Sequence, residues 1–85
     1  MELKPFLDTI PIEMRDKFAS DCGTSWAHLR NVGYGDKTCS PTLAVLIEAK
    51  SKQVVRRWDC RPDDWHRIWP ELRRVKGAPE VPAAA

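Results

Sequence analysis

A single glycine, Gly23, separates RDKFASDC from TSWAHLRNVGYG, and both flanks carry helical spacing. A glycine at such a junction supplies positive φ at low steric cost, which a three- or four-residue turn between helices needs. Ala19, four residues earlier, offers a small side chain where a second helix can approach closely. Leu29 and Val32 fall on one face, at i and i+3. Ser25 predicts an N-cap through its hydroxyl, and Gly35 a left-handed residue just past the helix end. Arg15 to Gly35 therefore reads as a helix-turn-helix unit. In such a unit the second helix lies in the major groove of DNA and the first crosses the backbone.

The flanking segments predict further short helices. Leu3, Phe6, Leu7 and Ile10 form one apolar stripe over 2–10, with Pro5 tolerable in the first turn. Pro11 breaks that run and starts Ile12–Cys22, where Met14, Phe18 and Cys22 recur at steps of four. After a polar loop over 36–39, Ser40-Pro41 pairs a hydroxyl N-cap with proline at the first helical position. That helix is expected to run to about Lys50, with Leu43, Leu46 and Ile47 inward and Ala44 filling gaps. The β-branched run Gln53–Trp58 predicts a short strand or extended chain. Arg61-Pro62-Asp63-Asp64 predicts another helix start, its carboxylates favoured by the helix dipole. Trp65, Ile68, Trp69 and Leu72 continue it, and Pro70 ends or kinks it near Ile68. Residues 77–85, GAPEVPAAA, have almost nothing to bury and predict a disordered tail beyond a single domain over 1–76.

A chain of 85 residues with 42 % apolar content makes one small domain, which buries only about 60 % of its unfolded surface. The four Trp are expected to supply much of its core area. The net charge of +2 is unevenly spread: 1–51 carries six Lys/Arg against seven Asp/Glu, and 52–85 eight against five. The helix-turn-helix unit is thus not itself a basic patch, and phosphate attraction must come largely from the C-terminal third. Cys22, Cys39 and Cys60 form no C-x-x-C pair, and His28 and His66 complete no ligand set, so disulfide, zinc and cofactor readings are all poor. Free thiols suit a cytoplasmic location, and Cys22 reads as a small buried apolar residue. No apolar run approaches the roughly 18 residues of a membrane span, and no signal peptide is evident.

CGTSWAHLRNVGYGDKTCSPTLAVLIEAKS resembles the Cro/CI-type repressor domain, with its G-x-S-x-x-x-[IL]-x-x-[IV] core. Gly23, Ser25, Leu29 and Val32 occupy those positions. The loop ending in Ser40-Pro41 before an apolar helix is similar to that family's approach to its fourth helix. More narrowly, LKPFLDTIPIEMRDKFASDCGTS and RPDDWHRIWPEL resemble the YdaS-type prophage regulators, small Cro-like proteins often described as antitoxins of toxin-antitoxin pairs. The resemblance covers roughly Leu3 to Leu72. It implies an all-α, five-helix lambda-repressor-like domain with a short Trp-rich C-terminal extension. It also implies a homodimer on double-stranded operator DNA, regulating a prophage or toxin-antitoxin-like operon.

On the second helix, Trp26, Ala27, Arg30 and Asn31 are the candidate base readers. Arg pairs bidentately with a guanine edge, Asn with adenine, and Ala or an indole face meets a thymine methyl. Arg15, Lys17, Ser25, Tyr34 and Lys37 are the candidate phosphate contacts. Each has a plainer reading. Exposed Arg and Asn are commonly only solvated, Trp26 can pack against a neighbouring segment, and His28 lies at the core edge or in solvent. Val54, Val55, Trp58, Trp65 and Trp69 either close the core or form a dimer or partner-protein surface. The second use defines an alternative function, an antitoxin-like module that binds a partner protein. Arg56, Arg57, Arg61, Arg67, Arg73 and Arg74 can add phosphate contacts or simply keep the domain soluble. Asp63 and Asp64 are adjacent and point to different sides of a helix, so they make no acid/base pair. With no phosphate loop, nucleophile elbow or metal spacing, an enzyme is not expected.

Overall fold

A computed structural model describes residues 1–81, and they are all-α. The predicted tail falls partly at 82–85, outside the described residues; 78–81 carry neither helix nor strand. The elements are α1 (Leu3–Leu7), α2 (Ile12–Asp21), α3 (Trp26–Tyr34), α4 (Pro41–Lys50), α5 (Arg57–Cys60), α6 (Trp65–Ile68) and a 3-10 helix (Pro70–Arg74).

Local chemistry accounts for the boundaries. Ser25 caps α3 by accepting from the His28 amide at 3.1 Å, and Ser40 caps α4 by accepting from Leu43 N at 3.1 Å. Gly23 takes φ +76° between α2 and α3, where an added Cβ would meet only Leu46 Cδ1 at 3.9 Å. The residue is needed for its conformation and not for space. Gly33 is the converse case: a Cβ there would lie 3.4 Å from Leu7 Cδ1 and from Lys4 Cα, so its absence lets α1 sit directly on α3.

α3 packs against both α1 and α2, while α4 bridges α2 and α5. The core gathers Leu3, Leu7, Ala19, Cys22, Leu29, Leu43, Ala44, Ile47 and Val55. Trp65 and Leu72 are buried in the C-terminal segment, and Trp58 meets Trp65 edge-on with ring centroids 5.8 Å apart. Met14, on the stripe predicted with Phe18 and Cys22, is exposed, because α2 turns only its Phe18–Ala19–Cys22 side inward.

The predicted strand at Gln53–Trp58 does not form. No second strand exists among the described residues to receive its hydrogen bonds, and Glu48 of α4 and Ser51 just after it take them instead. Lys52 and Gln53 adopt φ +56° and +66°, which reverses the chain at the end of α4. Buried Ser51 then accepts from Val55 N at 3.1 Å and donates to Glu48 O at 3.3 Å. Glu48 accepts from Arg56 Nε at 2.9 Å and from Arg57 N at 3.1 Å, anchoring α5 to α4. Its other oxygen lies 3.1 Å from Arg57 Nε, an ion pair outside hydrogen-bond alignment.

The acidic start predicted before Trp65 also does different work. Asp64 gives α6 no cap hydrogen bond; it accepts from Arg61 Nε at 3.0 Å and Nη2 at 2.7 Å. That pairing holds the Asp64 carboxyl below its ordinary 3.8.

Candidate functional site

α3 has two unlike sides. Leu29 is wholly buried and Val32 half-buried, while Ala27, Arg30 and Tyr34 are exposed and Asn31 sits at the margin. At 100° per residue, Ala27, Arg30, Asn31 and Tyr34 occupy one outward arc of the helix. Arg30 has no ion-pair partner among the described residues. At the N-terminal end of α3 the first intrahelical bond runs from Leu29 N to Ser25 O and the Ser25 hydroxyl takes His28 N, which leaves the Trp26 and Ala27 amides without an intrahelical acceptor. Such an end attracts anions.

Trp26 resolves toward packing. It is half-buried against the core, and the Arg15 guanidinium lies over its ring at 5.1 Å from the centroid. Arg15 is held from the other side by donating Nε to Ile10 O at 3.3 Å. One face of the indole thus carries Arg15, while the residue as a whole stays part-exposed. Cation–aromatic contacts of this kind are worth about 0.5–1 kcal/mol at an exposed site.

Lys17 pairs with Asp21 at 3.0 Å on the exposed side of α2, a contact worth little and easily exchanged for a phosphate. Lys37 is exposed on the loop that follows α3. The structure adds one residue that sequence reasoning passed over: Lys4 of α1, whose ammonium stands 5.0 Å from the Tyr34 ring centroid. Lys4, Arg15 and Arg30, with Trp26 and Tyr34, line a cleft of about 220 Å³. Asp8, which pairs with Lys4, partly offsets its charge. Gly33, an interior glycine in a helix, was the available hint, since it marks where another backbone comes close.

The C-terminal aromatic set divides differently. Val55 and Trp65 are interior residues, 0 % and 1 % exposed, so neither can belong to a dimer or partner surface. Trp58 and Trp69 are half-buried beneath Arg56 and Arg57, whose guanidinium carbons lie 4.5 and 5.2 Å from the respective ring centroids. Only Val54 of that set is well exposed. Arg56, Arg57 and Arg61 are likewise engaged within the fold, whereas Arg67, Arg73 and Arg74 remain exposed.

No group of three or more His, Cys, Asp or Glu is arranged to hold a metal ion among the described residues. No helix among them is long and apolar enough to cross a membrane. No protein-family model matches the chain, and no curated protein matches it in sequence.

Proposed function

We propose that this chain is a sequence-specific, double-stranded-DNA-binding regulator of the helix-turn-helix type. In this reading α2, the turn at Gly23 and α3 form the unit, with α3 in the major groove. The observation that carries it is the outward arc of α3. A helix whose opposite face is locked into the core presents Ala27, Arg30 and Asn31 together, with Arg30 in no ion pair among the described residues.

Arg30 is the guanine reader and Asn31 the adenine reader, and Ala27 touches a thymine methyl. Ser25 and the α3 amides, Arg15 braced on Trp26, Tyr34, Lys4 and Lys37 meet phosphates, with Lys17 joining once its surface pair opens. A homodimer over half-sites about one helical turn apart supplies the specificity that a single module lacks. The resemblance to Cro-like and YdaS-type regulators agrees with this use and suggests a prophage or toxin-antitoxin-like operon as the target. The alternative, an antitoxin-like module docking through Val54, Val55, Trp58, Trp65 and Trp69, is less favoured because Val55 and Trp65 are interior, which leaves Val54 and the half-buried Trp58 and Trp69 for such a surface.

The test is binding to fluorescent duplex from the chain's own upstream DNA, against a scrambled duplex, at two salt concentrations. Specific binding should weaken steeply with salt, by a log–log slope of about −0.9 per phosphate neutralised. Arg30→Ala and Asn31→Ala should each lose about 1–3 kcal/mol for the specific duplex and little for the scrambled one. Equal affinity for both duplexes, or none for either, overturns the reading.

A further inference from the structure

A cavity of about 460 Å³ lies where the end of α3, Tyr34 included, the following loop and residues 59–64 meet. Two thiols face it. Cys39 immediately precedes the Ser40 N-cap of the ten-residue α4, and Cys60 is the last residue of α5. Arg61 ties the two segments together: its Nη1 donates to the Cys39 carbonyl, while Nε and Nη2 hold Asp64. Cys39 Sγ donates to the Ser40 carbonyl at 3.6 Å, and the Cys60 thiol is its titrating side-chain neighbour. Lys37, Asp59 and Asp63 are the other charged groups on the cavity wall.

The two thiols are unequal. The hydrogen bond from Cys60 lowers the Cys39 pKa, and the Arg61 charge assists against burial. The same contact, together with burial, raises that of Cys60. A sulfur whose pKa is lowered beside one whose pKa is raised is the order of an attacking and a resolving cysteine. Cys39 is 3 % exposed and Cys60 half-buried, so only a small oxidant reaches them; Cys22, just as buried, has no such partner, and burial pushes its thiol up to about 11.

We propose that Cys39 and Cys60 form an oxidisable dithiol, which a small peroxide entering this cavity converts to an intramolecular disulfide. The Cys39 thiolate attacks one oxygen of hydrogen peroxide; the O–O bond breaks and hydroxide leaves, giving a sulfenic acid. The Cys60 sulfur then attacks the Cys39 sulfur. The S–S bond forms, the S–O bond breaks, and the departing hydroxide takes the Cys60 proton to become water. Two thiols and one peroxide yield one disulfide and two waters, the thiols giving up two electrons. A dithiol reductant reverses the reaction by exchange. The product clamps the loop behind α3 onto the end of α5.

The experiment titrates the reduced full chain with hydrogen peroxide, quenches with iodoacetamide and reads intact mass and peptide maps. The expected product is a monomer about 2 Da lighter before alkylation, with Cys39 and Cys60 peptides linked and Cys22 alone alkylated when the quench is made in denaturant. Cys60→Ser should stop at a sulfenic acid on Cys39 that dimedone captures; Cys22→Ser should oxidise like the parent. The oxidised parent should melt roughly 10 °C higher, and dithiothreitol should remove the increment. The parent's peptide map decides even if a serine variant folds poorly. A link involving Cys22, an intermolecular dimer, or over-oxidation of Cys39 without a disulfide overturns the proposal. None of these readouts depends on DNA binding.

Discussion

Replacing Glu48 should unfasten the C-terminal third from the rest of the domain. The carboxylate is 12 % exposed and meets Arg56 Nε at 2.9 Å, the Arg57 amide at 3.1 Å and Arg57 Nε at 3.1 Å. Two charges at such separations attract by about 4 kcal/mol at an effective dielectric near 20, but desolvation consumes much of that. Removing one member of a fully buried pair costs about 3–5 kcal/mol. Here each arginine side chain is 21 % exposed and can partly turn to water, which lowers the expectation for Glu48→Ala to about 2–3 kcal/mol. In a domain of this size that is a fall in Tm of roughly 10–20 °C. Glu48→Gln keeps an acceptor oxygen and should lose about half as much. Guanidinium unfolding followed by tryptophan fluorescence measures both, and a double-mutant cycle with Arg56→Ala should return a coupling of about 1–2 kcal/mol. A loss below about 0.5 kcal/mol for Glu48→Ala would show that the group behaves as an ordinary surface pair, and the account of the α4–α5 anchor would be wrong.

Two further perturbations test the packing that positions the site. Ser51→Ala removes the acceptor for Val55 N in the interior and should cost about 1–2 kcal/mol, with faster hydrogen exchange at the Val55 amide; an unchanged exchange rate would show that another group satisfies that amide. For Asp64 the folded pKa lies below the ordinary 3.8, so its pairing with Arg61 stabilises the fold above that value and is lost as pH falls through the folded value. Urea melts from about pH 5 downward should show that acid loss, muted by partial exposure, and Asp64→Asn should lack it. An identical acid profile in the variant would assign the loss to other carboxylates.

The helices around the outward arc were legible because their signals are local. A hydroxyl three residues before the amide it caps, a glycine at positive φ and a proline in the first helical turn all act within one turn of chain. Ser25, Gly23, Gly35 and Ser40-Pro41 accordingly sit where the sequence places them. Periodicity likewise marked Leu29 for the interior and Arg30 for the outside. Which further residues meet was not legible, because those contacts are set by how helices cross. Val54–Val55 has strand composition, yet a strand needs a partner backbone, and the Ser51 hydroxyl met Val55 instead. Trp65 has the face of an interface residue and the position of a core one. Spacing argued against any cysteine pair, while the turn at Lys52–Gln53 brings α5 back over the start of α4 and sets Cys60 beside Cys39. The sequence by itself determined α1 to α4 and the hydroxyl caps of α3 and α4, since those depend on neighbours in the chain. The tertiary structure alone decided the Glu48–arginine anchor, the burial of the tryptophans and the meeting of the thiols, since those depend on neighbours in space.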